Sequence, residues 1–293
     1  MKKWILPILI LLLLTACNAS TQNNEQGQAS EDYQGNIGDQ DQNEGTHLDD
    51  ENSEEDMSTS ENTNKDEDAE STTGNKENQE EPQYILNLAN SSFEPIGDAN
   101  PDVVLLTIDD APDRYALEMA TTLKELNVKA IFFVNGHFLQ TKEEQALLKE
   151  IYEMGFPIGN HTMNHKNLNQ QTEEEQYAAI VGLSDLIEEI IGQRPKFFRA
   201  PFGENTDYSN DLVAKEGMVR MNWTYGYDWE KEYTSAKALA DIMVNTNLLK
   251  SGANLLMHDR EWTNEALREI VKGLQEKGYE MVDPDLIEVP SGT

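Results

Sequence analysis

The chain has 293 residues, with 55 Asp and Glu against 22 Lys and Arg, a formal net charge of −33. That balance excludes a basic nucleic-acid footprint, and a single cysteine excludes a disulfide framework.

At the N-terminus Lys2 and Lys3 precede an apolar run, Trp4 to Leu14, of 11 residues. It is too short to span a bilayer and has the shape of a signal peptide. The run ends in Leu14-Thr15-Ala16-Cys17, which resembles the bacterial lipoprotein lipobox. The resemblance implies cleavage before Cys17, diacylglycerol on its sulfur, and a mature chain held on the extracellular face of the cell membrane. Two or three acyl chains make such an anchor stable. Residues 1–17 are therefore expected to be a processing signal.

Residues 18–83 carry 20 Asp and Glu against two Lys, with few apolar side chains. Such a segment cannot bury enough surface to offset its ordering entropy. It is expected to be a self-repelling linker, with an r.m.s. span of roughly 45 Å and a contour limit of about 220 Å. The remaining residues, 84–293, suit one domain. It has 35 acidic and 18 basic residues and is expected to be monomeric.

The domain alternates strand and helix. Val103–Ile108 is a continuous apolar run, as in a parallel strand buried on both faces. Ala116–Leu126 has helical spacing, with Leu117, Ala120, Leu123 and Leu126 on one face. Ala130–Val134 is the next strand, Glu143–Met154 a helix stopped by Gly155, and Phe156–Asn160 a short strand. Thr172 with Glu175 forms a capping box that opens a helix running to Ile191. Further strands are predicted at Lys196–Arg199, Met218–Trp223, Asn254–Met257 and Tyr279–Val282. Helices fall between them at Asp207–Glu216, Ser235–Leu249 and Asn264–Lys277. Seven strands and six helices in alternation indicate an α/β fold, either a barrel or an open sheet.

Polar residues follow several of these strands. Asp109 and Asp110 follow the first, His161 the third and His258 the sixth, while Arg199 ends the fourth. In parallel barrels functional side chains gather at that rim. His161 and His165 are four apart, so a helix face or a turn brings both to one metal. An arginine at such a rim needs an anion, and Asp109 would serve. Of the domain's four histidines, only His137 falls outside these motifs, and it reads as structural. Trp223, Tyr225, Tyr227 and Trp229 form an aromatic cluster, either core or a sugar-stacking surface. Two histidines and a carboxylate also suit a non-haem iron oxygenase. The βα alternation and the extra His258 argue against that reading.

The segments TIDDAP (107–112), FPIGNHTMNHKNL (156–168), FFRAPFG (197–203), YDW (227–229) and LLMHD (255–259) resemble the polysaccharide deacetylases of the NodB-homology type, carbohydrate esterase family 4. The resemblance covers about residues 100 to 285. It implies a distorted (β/α) barrel of about seven parallel strands and hydrolysis of N-acetyl groups on a glycan. The glycan could be peptidoglycan, at N-acetylglucosamine or N-acetylmuramic acid, or a chitin-like or poly-N-acetylglucosamine polymer. It also implies a divalent metal, usually zinc, on Asp110, His161 and His165. Asp109 would be the general base, held by Arg199, and His258 the general acid. The Phe202 N–H would stabilise the oxyanion, and Trp229 and Leu256 would line the acetyl pocket.

Two positions depart from the family. Ala111 stands where Gly is common. Many relatives also carry an Asp three residues before the one preceding the Trp, tuning the catalytic His. That place is Tyr225, or Gly226 with one deletion, so His258 is expected to lack that carboxylate partner and to have a lower pKa than in those relatives, unless Asp259 or Asp228, which the sequence does not place, compensates. The alternative function is a catalytically weak glycan-binding protein of the same fold.

Overall fold

The computed structural model describes residues 81–290. The expected signal peptide, Cys17 and all but the last three residues of the acidic linker lie outside the described residues.

The chain opens with an antiparallel hairpin that the sequence reading did not anticipate, β1 (Tyr84–Asn87) and β2 (Ser92–Pro95). There follow β3 (Val103–Ala111), α1 (Ala116–Glu125), β4 (Ile131–Val134), α2 (Lys142–Glu153), β5 (Ile158–Asn160) and α3 (Glu173–Ile191). The second half comprises β6 (Phe197–Phe198), α4 (Asp207–Lys215), β7 (Val219–Arg220), α5 (Ala236–Asn245), β8 (Ala253–His258), α6 (Glu261–Glu276) and β9 (Glu280–Met281). The capping box of Thr172 and Glu175 opens α3, and Gly192 closes it in the left-handed conformation.

β3 to β9 form one seven-stranded parallel sheet in the order β7-β6-β5-β4-β3-β8, with β9 on the first residues of β3. The strand expected over Met218–Trp223 is split. Val219 and Arg220 pair with β6, and the chain then crosses to β8. There Thr224 N–H donates to Asn254 O at 2.8 Å and Leu256 N–H to Tyr225 O at 2.9 Å. This crossing joins the two sheet edges into a distorted barrel.

Alternate strand residues fill the barrel: Leu105, Ile131, Phe133, Phe197, Val219 and Met221. Tyr84, Leu86 and Phe93 of the hairpin close its lower end. Phe93 N–H donates to Gly252 O at 2.7 Å, and a Cβ on Gly252 would lie 2.1 Å from Phe93 O. Only glycine allows the hairpin to sit that close. The other faces of the strands pack against α1, α2, α5 and α6.

Three further boundaries differ from the sequence reading by three residues or more. β3 runs on through both aspartates because Asp109 pairs with His258 of β8. α5 ends at Asn245, where Thr246 turns extended and its hydroxyl takes the Leu248 N–H. α6 starts three residues early, docked by Trp262 Nε1–H and the Thr263 hydroxyl onto Asp228. Among the described residues no helix is long and apolar enough to cross a membrane.

Candidate active site

The C-terminal rim of the barrel collects the polar motifs. One ligand atom each from Asp110, His161 and His165 lies within 4.8 Å of the others. The Asp110 carboxylate is 3.9 Å from His161 Nε2 and 3.6 Å from His165 Nε2. Donors about 2.1 Å from a shared tetrahedral ion would stand about 3.4 Å apart, so a small contraction completes the site. His161 Nδ1 meets Arg199 O at 2.7 Å, which leaves Nε2 facing the other donors. Burial, reinforced by His165, lowers the pKa of His161 to about 3, so it stays a neutral ligand. Asn135 Nδ2 steadies Asp110 at 3.0 Å, a partner the sequence reading missed. The donor set, two imidazoles and a carboxylate, therefore fits a divalent metal.

The backbone is strained where these ligands sit. Asp110, Thr162, His165 and Phe202 all have positive φ, between 51° and 68°. Each costs about 1–3 kcal/mol and persists only where the surroundings enforce it. Four of the six such non-glycine residues among those described crowd this one rim.

Arg199 is fully buried and all its nitrogens are bonded. Nη1 donates to Asp109 Oδ1 at 2.6 Å and to the Thr107 hydroxyl at 2.8 Å. Nη2 and Nε donate to the carbonyls of Asn222 and Met221, and the guanidinium lies 4.4 Å from the Phe133 ring centroid. Asp109 is thus held with Oδ2 3.5 Å from His161 Nε2. Burial raises the Asp109 pKa above the ordinary carboxylate value, against the pull of Arg199.

The expectation of an unpartnered His258 is overturned. Asp228, within the YDW motif, is fully buried and takes His258 Nδ1 at 2.7 Å. It also accepts the His258 main-chain N–H at 2.6 Å and the Thr263 hydroxyl at 2.8 Å. Burial alone would lower the His258 pKa, but the Asp228 charge and hydrogen bond outweigh it and raise it to about 9. The same pairing holds Asp228 below its usual range although burial opposes it. Tyr225 and Gly226 serve the barrel closure instead. Tyr225 is buried with its hydroxyl on Met243 O, and a Cβ on Gly226 would meet Leu256 O at 2.4 Å.

The remaining predicted residues lie around this cluster. Trp229 stands edge-on to His258, with ring centroids 5.5 Å apart. Leu256 is buried two residues before His258, on the same face of β8. The Phe202 ring is 58% exposed and stands over His165 at 4.9 Å. The aromatic cluster divides: Tyr225 and Tyr227 pack on the core, while Trp223 lies 6.4 Å from Trp229. His137 stacks on Phe138 and lies outside the donor triad.

Comparison with known proteins places this geometry. The profile of the polysaccharide deacetylase family matches residues 96–221. A peptidoglycan-N-acetylglucosamine deacetylase of Bacillus cereus is 34% identical over 186 residues, covering 61% of this chain and 67% of that protein. The chain belongs to the polysaccharide deacetylase family. The protein YlxY of Bacillus subtilis is 31% identical over 193 residues, 64% of this chain and 58% of its own length. Among solved structures, a carbohydrate esterase family 4 pseudoenzyme from Bacillus anthracis superposes with a TM-score of 0.57 at 28% identity, covering 62% of this chain and 63% of that one. The distorted barrel of parallel strands with its helices is the fold of this deacetylase family.

Proposed function

We propose that the chain is a metal-dependent N-deacetylase acting on a cell-wall or surface glycan with N-acetylated sugars. The observation that carries this reading is His258, paired through Nδ1 with Asp228 at 2.7 Å, on the strand beside Asp109 and the donor triad. Amide cleavage needs a base for water and an acid for the departing amine, and this rim offers both.

Asp110, His161 and His165 would hold the metal, in our proposal zinc. When bound, it polarises the acetyl carbonyl and lowers the pKa of water. Asp109, oriented by Arg199, takes a proton from the attacking water as its oxygen bonds to the carbonyl carbon. The Phe202 N–H donates to the carbonyl oxygen as negative charge develops there. His258 gives its proton to the nitrogen as the C–N bond breaks, leaving acetate and a free amine. Trp229 and Leu256 wall the space for the acetyl methyl. Two imidazoles and a carboxylate suit catalytic zinc, and amide hydrolysis calls for a Lewis acid with no redox change, which favours zinc over iron.

The placement of the enzyme is part of the same proposal. Lipidation at Cys17 would anchor it outside the cell membrane, and the acidic segment would let the domain reach the wall. Cys17→Ser should release the protein from the membrane fraction or leave it unprocessed with its signal attached. A variant that is processed as wild type and still fractionates with the membrane would refute the anchor.

The test of activity is acetate release from peptidoglycan, chitin oligomers and poly-N-acetylglucosamine, with and without a chelator. The pseudoenzyme among the structural neighbours motivates a second reading, a glycan binder with little turnover. Saturable binding of one of these glycans without acetate release would favour it.

A further inference from the structure

We infer that Asp259 is a positioning residue that locks the loop leading out of Asp109 and Asp110 to the strand end carrying His258. The inference rests on the metal reading above.

The loop between β3 and α1 runs from Pro112 to Tyr115, and its amides converge on one carboxylate. Asp259 accepts the main-chain N–H groups of Asp113 at 2.8 Å, Arg114 at 3.0 Å, Tyr115 at 2.6 Å and Ala116 at 3.1 Å. Three of these amides reach Oδ2 and one reaches Oδ1, so both carboxylate oxygens are engaged. The first amides of a helix have no partner within it. In α1 the capping position is Tyr115, which offers no side-chain acceptor. Asp259 supplies the missing cap from across 143 to 146 residues of sequence, with a negative charge suited to a helix N-terminus. Its own main-chain N–H donates to Asp109 O at 3.0 Å. One residue thus grips β3 through its backbone and the following loop through its side chain, while His258 precedes it in sequence.

What lies between the two grips is Asp110, at φ +61°. A non-glycine residue in that region reverts unless its neighbours hold it. If the loop is freed, Asp110 can relax and turn its carboxylate away from His161 and His165. A cap that served only the stability of α1 would not change metal affinity.

The test uses full-length protein stripped with a chelator, as wild type, Asp259→Asn and Asp259→Ala. Zinc is titrated by calorimetry, amide exchange is followed at Asp113 to Ala116, and kcat and KM are measured on a soluble N-acetylglucosamine oligomer. In folded variants the four amides should exchange faster and zinc affinity should fall about 10-fold or more. kcat should fall by more than KM rises. In the wild type, zinc should slow exchange at the same amides, because coupling is reciprocal. Zinc affinity within about twofold of wild type in a folded variant with freed amides overturns the inference. If neither variant folds, the wild-type exchange decides, and amides indifferent to bound zinc overturn it. Wild-type protein that binds no zinc overturns the metal reading itself, and the inference with it.

Discussion

The His258–Asp228 pair gives the sharpest quantitative consequence. Asp228→Asn removes the largest of the charges that raise His258 to about 9, and leaves the burial that lowers it against the smaller pull of Asp110 and Asp109. The imidazole should then titrate at or below its ordinary value of about 6.5. The acid works only when protonated, so its contribution is full below its pKa and is lost as pH rises through it. At pH 8 a group at about 9 is about nine-tenths protonated, and one at about 6.5 only about 3%. kcat/KM for an N-acetylated oligomer should fall at least about 30-fold at pH 8, and the high-pH limb should move from about 9 to about 6.5 or lower. The substitution also turns an amide NH2 toward the His258 N–H or the Thr263 hydroxyl, so about 1–3 kcal/mol of stability should go as well. A thermal melt run alongside separates the two effects. An aryl acetate, whose leaving group needs no proton, should still be cleaved. A folded Asp228→Asn whose high-pH limb stays near its wild-type position would refute this role for the pair.

Other substitutions probe the remaining parts. His161→Ala and His165→Ala should each abolish zinc binding measured by calorimetry and Asp110→Asn should weaken it, whereas Asp109→Asn should keep zinc and lose about 10²–10⁴ in kcat. Arg199→Met leaves the Asp109 carboxylate buried and unpaired, and should lower unfolding free energy in urea by about 3–5 kcal/mol. A chain beginning at Gly97 lacks Tyr84, Leu86 and Phe93 from the base of the barrel. It should be less stable than one beginning at Glu81 by on the order of 5 kcal/mol, seen as loss of a cooperative melt.

Much of this was legible in the sequence because buried parallel strands read as unbroken apolar runs, and β3 is one. Helix starts were readable where the signal is local, as at the Thr172–Glu175 box. α1 shows the opposite case, since its cap comes from Asp259 far along the chain. The sequence offered Asp228 and Asp259 as candidate partners of His258 and could not choose between them, for a similar reason. Counting back from Trp229 pointed to Tyr225 and Gly226, but the chain crosses the barrel there, and the crossing turns Asp228 inward to His258. The hairpin of β1 and β2 carried too short an alternation to stand out beside the acidic segment. What reveals it is its packing on Gly252 and Ile287.

The central claim is that Asp110, His161 and His165 hold one metal ion that supports amide hydrolysis. The most direct measurement titrates zinc into chelator-stripped protein while acetate release from an N-acetylglucosamine oligomer is followed in the same samples. Release should rise in proportion to zinc up to one equivalent per chain and then level off, and His165→Ala should abolish both binding and release. Full release from metal-free protein, or stoichiometric zinc binding that survives the loss of His161 and His165 together, would contradict it.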